Sequence, residues 1–120
     1  MITFKVDNLK NMNDELKLFA DFLRLAGAHD DDIFASKLVS CELITNVIVH
    51  GGDAADFECS LSGELIRITV SAESFKGLQF GAVRPAPLAE SGRGMYIVKS
   101  LCCGEIENED GRVSVCIKRK

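Results

Sequence analysis

The sequence has no concentrated block of basic residues. Its 120 residues carry a net charge of −4, and the one basic cluster is the IKRK of residues 117–120. A protein that binds nucleic acid needs a concentrated positive surface to neutralise phosphates. We interpret this short charge run as a solvated tail, as such runs usually are, and we expect no nucleic-acid partner.

Long hydrophobic runs are also missing. No stretch approaches the roughly 20 consecutive apolar residues that a membrane-spanning helix needs. Residues 1–10, MITFKVDNLK, lack the hydrophobic segment and cleavage site of a signal peptide. We therefore expect a cytoplasmic protein that makes no membrane contact.

Cysteine is present, but its spacing is not that of a metal site. The count of five is odd and no Cys-x-x-Cys pair occurs, which argues against the common zinc-ligand patterns. Most of the cysteines stand inside apolar runs, which favours buried, reduced thiols. Cys102 and Cys103 could be redox-active, but Lys99 is the one nearby residue basic enough to lower a thiol pKa.

Internal repeats, low-complexity tracts and domain linkers are absent as well. Apolar residues make up 47% of the chain, which is enough for a packed core and argues against wholesale disorder. A chain of this length suits one hydrophobic core. We predict a single domain over residues 1–120.

Two helices are predicted in the first half of the chain. Residues 11–28 place apolar side chains at helical spacing, with Asn11 or Asn13 as the N-terminal cap and Gly27 at the end. Residues 29–52 form the second helix, whose acidic start suits the positive end of the helix dipole and whose Gly51 suits a C-terminal cap.

Strands and a long loop account for the rest. Residues 2–6 alternate as a strand does, and residues 56–72 and 104–118 each form a hairpin, with turns at SGE and EDGR. Residues 73–94 form a long irregular segment of the kind that serves as a lid or binding loop, and a short helix follows it. The order predicts an α+β two-layer sandwich, with a mixed, mostly antiparallel sheet covered by helices on one face.

A polar stripe crosses the second helix within residues 41–52, CELITNVIVHGG. Glu42, Asn46 and His50 are four residues apart, so they lie on one side of the helix beside a buried apolar stripe. A solvated helix edge is the ordinary interpretation. The chemical interpretation is that Glu42 accepts a proton as a general base while the Asn46 amide oxygen binds Mg²⁺.

A glycine-rich segment precedes the short helix. In residues 90–101, ESGRGMYIVKSL, Gly92 and Gly94 flank Arg93 directly before helical spacing begins. Glycines let the backbone approach an anion closely, and a helix N-terminus presents free N–H groups to it. A plain turn into a helix has the same pattern, so the segment favours a phosphate site chiefly in combination with the polar stripe.

The two motifs together resemble the GHKL ATPase superfamily, which has the Bergerat fold. CELITNVIVHG resembles its N box and SGRGMYIVKSL resembles its second glycine box. The residue pattern of both motifs is most similar to the small stand-alone branch of anti-sigma-factor serine kinases. The resemblance spans nearly the whole chain. It implies ATP and Mg²⁺ as cofactors, with Asn46 as the metal ligand and Glu42 as the general base. It also implies phosphate contacts from Gly92, Arg93 and Gly94, and nucleotide contacts near His50 and Gly51.

The first glycine box of that superfamily, Asp-x-Gly-x-Gly, is altered in SAESFKGLQFG of residues 71–81. An ungapped alignment puts Ala72 at the Asp, Ser74 at the first Gly and Lys76 at the second. A shift of one residue puts Glu73 at the Asp, Phe75 at the first Gly and Gly77 at the second. In the shifted alignment Glu73 and Gly77 become the nucleotide-binding positions.

The family's Gly-Thr-Thr before the last strand is absent as well, since the corresponding stretch reads EDGRVSVCIK. The adenine half of the site therefore differs from the family pattern more than the phosphate half does. An unmet polar group of adenine in a dry pocket costs on the order of 1–3 kcal/mol, which weakens ATP binding without abolishing it.

Three functional hypotheses follow. The first is an ATP-dependent serine kinase that phosphorylates an antagonist protein and controls a sigma factor, with a homodimer expected from the branch it resembles. The second is a protein-binding module of the same fold that no longer depends on nucleotide. The third is a plain α+β domain whose polar stripe is solvated.

Overall fold

A computed structural model describes residues 1–76 and 97–120 of the chain. Two short turns accompany the main elements: a π turn at Asn46–His50 and a 3-10 turn at Glu73–Phe75. Residues 97–101 are helical, which agrees with the end of the predicted short helix. The main elements are β1 (Ile2–Val6), α1 (Leu9–Leu25), α2 (Asp30–Thr45), β2 (Ala55–Ser62), β3 (Leu65–Ser71), β4 (Cys103–Glu109) and β5 (Arg112–Lys118).

The described strands form one sheet in the order β1-β2-β3-β5-β4, and each neighbouring pair is antiparallel. The prediction of an α+β protein with a mostly antiparallel sheet is confirmed. The prediction of a mixed sheet is wrong for the described strands. β3 pairs with β5 and not with β4, so no neighbouring pair among them is parallel. That arrangement puts both C-terminal strands in antiparallel register and leaves β4 at the edge.

One face of the sheet is apolar and carries the core. Phe57, Val70 and Val113 stand opposite one another on β2, β3 and β5, and all are buried. The Phe57 ring stacks on Phe4 at a centroid distance of 4.3 Å and meets Phe19 of α1 edge-on at 4.9 Å. Apolar side chains from the helices thus cover this face, as two-layer packing requires.

The other face of the sheet is polar, because successive side chains of a strand point to opposite sides. The hydroxyls of Thr69 and Ser114 share a hydrogen bond of 2.9 Å across β3 and β5. Arg67 on β3 donates a hydrogen bond of 2.9 Å to Glu107 on β4, across the intervening strand β5. We call this surface the open face.

Helix α1 begins one turn earlier than its sequence pattern predicted. The side chain of Asn8 accepts a hydrogen bond of 2.7 Å from the backbone N–H of Asn11, so Asn8 and neither Asn11 nor Asn13 is the cap. Asn8 has the extended backbone that a cap needs, whereas the later asparagines lie inside the helix. The predicted end is confirmed: Gly27 has a φ of +83° and donates to the carbonyl of Arg24.

Helix α2 and the π turn form one continuous segment, Asp30–His50. By length and composition alone this segment of 21 residues could cross a membrane, contrary to the sequence-based expectation that no stretch is long and apolar enough. Val39, Leu43 and Ile44 of this segment are fully buried, whereas Phe34 and Val49 are exposed. A core helix of a soluble protein passes the same composition test, so the finding is weak evidence for a membrane span.

Both predicted hairpin turns are present. Gly63 between β2 and β3 has a φ of +59°. Between β4 and β5, Asp110 and Gly111 have φ values of +49° and +81°, as a two-residue turn with left-handed central positions requires. Most of the predicted irregular segment, residues 73–94, lies outside the described residues.

Candidate functional site

The polar stripe crosses the point where the regular α-helix ends, with Glu42 in α2 and with Asn46 and His50 in the π turn. The N–H of Gly51 donates to the carbonyls of Asn46 and Val47, both at 3.1 Å, and the first of these bonds spans five residues. This widened turn over Asn46–His50 replaces the regular helix that the sequence predicted. Turns of this kind inside helices frequently occur at functional sites.

The stripe runs from the core edge to solvent. Glu42 and Asn46 are half-buried, and His50 is exposed. The adjacent Leu43 and Val47 are fully buried. The carboxylate and the amide therefore lie at the rim of the core, where they are sheltered but still reach solvent, so a fully solvated edge describes His50 better than its two neighbours.

The end of the π turn lies directly against the segment that follows β3. A Cβ placed on Gly51 would come within 2.6 Å of the Ser74 Cβ and 2.8 Å of the Val47 carbonyl oxygen. Distances below about 3 Å do not occur for real side chains, so only glycine fits. Gly51 is the C-terminal cap of the π turn, as predicted for the end of this helix, and the need for glycine there is steric, because its φ of −93° is open to any residue.

Asp53 holds the same two segments together, and sequence reasoning missed it. Its carboxylate accepts hydrogen bonds from the backbone N–H of Ala54 at 2.8 Å and of Ser74 at 3.2 Å. Its own N–H donates to the Val47 carbonyl at 3.3 Å. The signal was present in the GGD sequence, because an aspartate after a glycine pair commonly bonds nearby backbone groups.

In the described part of the altered glycine box, residues 71–76, Ala72 packs closely against the β4–β5 turn. The N–H of Ala72 donates to the Gly111 carbonyl at 2.9 Å, and a Cβ on Gly111 would come within 2.9 Å of the Ala72 carbonyl oxygen. The segment after β3 is therefore fixed between the end of α2 and the β4–β5 turn. Ser74 Oγ is buried in this contact and has no hydrogen-bond partner within the described residues.

Phe75 and Glu73 point in different directions. Phe75 is 2% exposed and belongs to the hydrophobic core. The Glu73 side chain is 77% exposed and pairs with Lys76 at 3.1 Å. The hydrogen bond from Lys76 to Glu73, and the negative charges of Glu73 and Asp110, raise the pKa of Lys76 above its ordinary value.

The structure thus describes five of the nine predicted site residues. It brings Gly51 next to the altered glycine box, which contains Glu73, and it places Glu42, Asn46 and His50 along the helix that leads there. The remaining four, Gly77, Gly92, Arg93 and Gly94, lie outside the described residues.

A metal ion at this site would depend on few protein ligands. Over residues 1–76 and 97–120, no group of three His, Cys, Asp or Glu side chains is arranged to hold a metal. A single amide oxygen such as that of Asn46 nevertheless fits Mg²⁺, because this ion commonly keeps its waters and takes one or two protein oxygens together with substrate phosphates.

No family model matches the chain, and no curated protein is significantly similar to it. The assignment of the site therefore depends on the motifs and on the contacts described above.

Proposed function

We propose that this protein binds Mg-ATP at the end of α2 and acts as a regulatory serine kinase of the anti-sigma-factor type, with the Bergerat fold of the GHKL superfamily. The supporting observation is the position of Glu42 and Asn46. They form the half-buried part of a stripe on a core helix, and the helix widens into a π turn at Asn46 itself. A purely solvated edge requires neither feature.

Each residue has a distinct role in this proposal. Asn46 supplies an oxygen ligand to Mg²⁺, which neutralises phosphate charge when it is bound. Glu42, one helical turn earlier, accepts the proton of the serine hydroxyl that is phosphorylated. His50 and Gly51 border the nucleotide, and Gly92, Arg93 and Gly94 contact its phosphates. Glu73 and Gly77 replace the family's adenine contacts.

The proposed partners are proteins. An antagonist protein carries the serine that is phosphorylated, and a sigma factor is held or released accordingly. The proposal includes a cytoplasmic location and a homodimer, with neither nucleic acid nor membrane as partner.

A second candidate, a protein-binding module that works without nucleotide, is favoured by the region after β3. Phe75 occupies core volume at the position where the shifted alignment puts a glycine. The Glu73 carboxylate, which would have to accept from adenine, is engaged with Lys76. Both observations indicate an adenine half that is closed, which is compatible with a retained partner surface and lost ATP dependence.

Calorimetric titration with Mg²⁺ and a non-hydrolysable ATP analogue separates the two candidates. The kinase proposal expects binding at micromolar strength that Asn46→Ala reduces at least about tenfold, which corresponds to about 1.4 kcal/mol. Asn13→Ala, an exposed asparagine on α1, is the matched control and should bind as the wild type does. Circular dichroism verifies that each variant is folded.

Absence of heat up to millimolar nucleotide, from a folded protein, would contradict the kinase proposal and support the binding module. Binding that persists unchanged in Asn46→Ala would remove Asn46 from the metal site. A purified partner that binds with the same affinity in the presence and absence of ATP would favour the second candidate directly.

A further inference from the structure

The cysteines are distributed over three different environments, and all five are described. Cys59 is buried on the apolar face of β2, and Cys41 is half-buried on α2. Cys102 packs against the core, directly before β4. Cys103 is exposed and Cys116 half-buried, and both are strand residues. The sequence-based expectation that most thiols are buried is therefore wrong: only Cys59 is fully buried.

Cys103 and Cys116 face each other across β4 and β5. The strand register makes them direct partners, and the same row continues to Arg67 on β3. Cys116 alternates with the buried Val115 and Ile117, so its side chain lies on the open face, and its direct partner lies there too. Directly opposed strand residues have Cβ atoms about 4.5–5.5 Å apart, close to the separation of about 3.5–4.5 Å in a disulfide.

The local backbone allows the small approach that a bond requires. β4 is the edge strand, and its register with β5 shifts between Cys103 and Glu107. Gly104, directly after Cys103, has a φ of +72°. The Cys103 position is thus separated from the regular ladder by an irregular stretch and can move toward β5 without disturbing the remaining pairs.

Cys102 is set apart from this pair by its environment. Its neighbour Cys103 follows on the open face, whereas Cys102 packs against the core. Burial, together with the nearby Cys103 and Cys116 sulfurs, raises the pKa of the Cys102 thiol to about 12. Because the thiolate is the nucleophile in disulfide chemistry, Cys102 remains an unreactive thiol beside the pair.

We infer that Cys103 and Cys116 are a redox modification site, where a hydroperoxide converts the two thiols into a cross-strand disulfide. In the first step the exposed Cys103 thiolate attacks one peroxide oxygen, and the O–O bond breaks to give a sulfenic acid and, for hydrogen peroxide, hydroxide, which takes up the proton that the thiol lost and becomes water. In the second step the Cys116 thiolate attacks the Cys103 sulfur, the S–O bond breaks, and the hydroxide that leaves takes up the proton lost by the Cys116 thiol to give a second water. Two thiols are oxidised and one peroxide is reduced.

The bond would attach the start of the edge strand to β5. This end of β4 follows the helical residues 97–101 after a single residue, Cys102, and precedes the register shift. Oxidation is therefore expected to slow backbone opening around Gly104, and reduction to restore it. The proposed redox site does not depend on nucleotide binding. It is therefore independent of the proposed kinase activity.

Peptide mapping tests the pairing. The reduced full-length chain is treated with hydrogen peroxide, blocked with an alkylating reagent and cleaved with trypsin. Cleavage after Lys99, Arg112 and Lys118 separates residues 100–112, which contain Cys102 and Cys103, from residues 113–118, which contain Cys116. The expected product is these two peptides joined, with an intact mass lower by two hydrogen atoms and reversed by dithiothreitol.

Single variants assign the sulfurs. Cys103→Ser and Cys116→Ser should each abolish the joined peptide, whereas Cys102→Ala and Cys41→Ser should form it as the wild type does. Cross-linking that survives in Cys103→Ser would overturn the assignment, because Cys102 would then be the partner. So would a disulfide inside residues 100–112, or oxidation that stops at sulfinic acid with no joined peptide.

Hydrogen exchange measures the consequence. In the wild type, amide exchange at Gly104 and Ile106 should slow several-fold on oxidation, and the Cys116→Ser variant should not respond to peroxide. Unchanged exchange in a protein with the mapped disulfide would remove the proposed effect on β4.

Discussion

The end of α2 and the turn after β3 lie against each other, but the burial of their polar side chains differs. At the end of α2, Glu42 and Asn46 are half-buried, and the Glu42 carboxylate has no ion pair with any described side chain. After β3, Phe75 enters the core and Glu73 turns to solvent with Lys76. The first region thus has half-buried polar side chains, whereas the second has a buried aromatic ring and an exposed ion pair.

If the proposed ATP site is correct, this difference predicts that metal binding at Asn46 persists while contacts to the base after β3 are reduced. The two regions are in contact through Gly51, which lies against Ser74, and through the Asp53 carboxylate, which accepts a hydrogen bond from the Ser74 N–H. Variants in each region therefore test whether they still act as one site.

The largest effect is expected at Glu42. If it is the general base, Glu42→Gln should lower the rate of phosphoryl transfer or ATP hydrolysis by about 10²–10⁴-fold, because an amide cannot accept the proton. Nucleotide affinity should change little. ADP release measures the rate, and Glu64→Gln in the exposed β2–β3 turn is the matched control. Equal rates in wild type and Glu42→Gln would exclude the base role.

Phe75→Ala tests whether the Phe75 ring, in the turn after β3, fills the position of the nucleotide base. Removing a ring that is 2% exposed should lower the free energy of unfolding by about 3–5 kcal/mol, measured by urea denaturation. If the ring fills the position of the base, adenosine should raise the melting temperature of this variant and leave the wild type unchanged.

Phe19→Ala is the control for Phe75→Ala, because Phe19 is equally buried but packs on Phe57 under α1. It should be destabilised to a similar extent without a response to adenosine. A response in both variants would indicate nonspecific binding to a loosened core.

Gly51→Ala tests the contact between the regions. The added methyl group meets Ser74 and the Val47 carbonyl, so we expect a loss of about 1–3 kcal/mol in unfolding free energy. The double variant Gly51→Ala with Ser74→Gly should recover part of the loss, since it removes the side-chain half of the clash. No recovery would mean that the Val47 carbonyl alone sets the requirement for glycine.

The smallest effect is expected at Glu73. Glu73→Gln should bring the pKa of Lys76 down toward the ordinary lysine value, as followed by NMR titration of the Lys76 side chain. Any stabilisation by the pair is complete below the ordinary lysine pKa and is lost as the pH rises through the raised value. An unshifted Lys76 would show that Glu73 is directed elsewhere in solution.

Part of this architecture could be read from the sequence. Alternation in the strands, the turn glycines and the apolar spacing of the helices predicted the α+β class and both hairpins, because these signals are local. The cap at Asn8 was missed because Asn11 and Asn13 have the same chemistry, and only the backbone conformation distinguishes them. The π turn at Asn46 was missed because residues 46–50 continue the helical pattern.

The candidate site likewise has features that the sequence predicted and features that only tertiary contacts set. The sequence alone determined which residues carry usable chemistry: a carboxylate and an amide one helical turn apart, and a glycine where the helix ends. Tertiary structure decided what surrounds them. It buried Phe75, paired Glu73 with Lys76, used Asp53 to fasten the turn after β3, and brought Cys103 opposite Cys116. Those outcomes depend on contacts between segments distant in the chain, and packing across the sheet sets them where local pattern cannot.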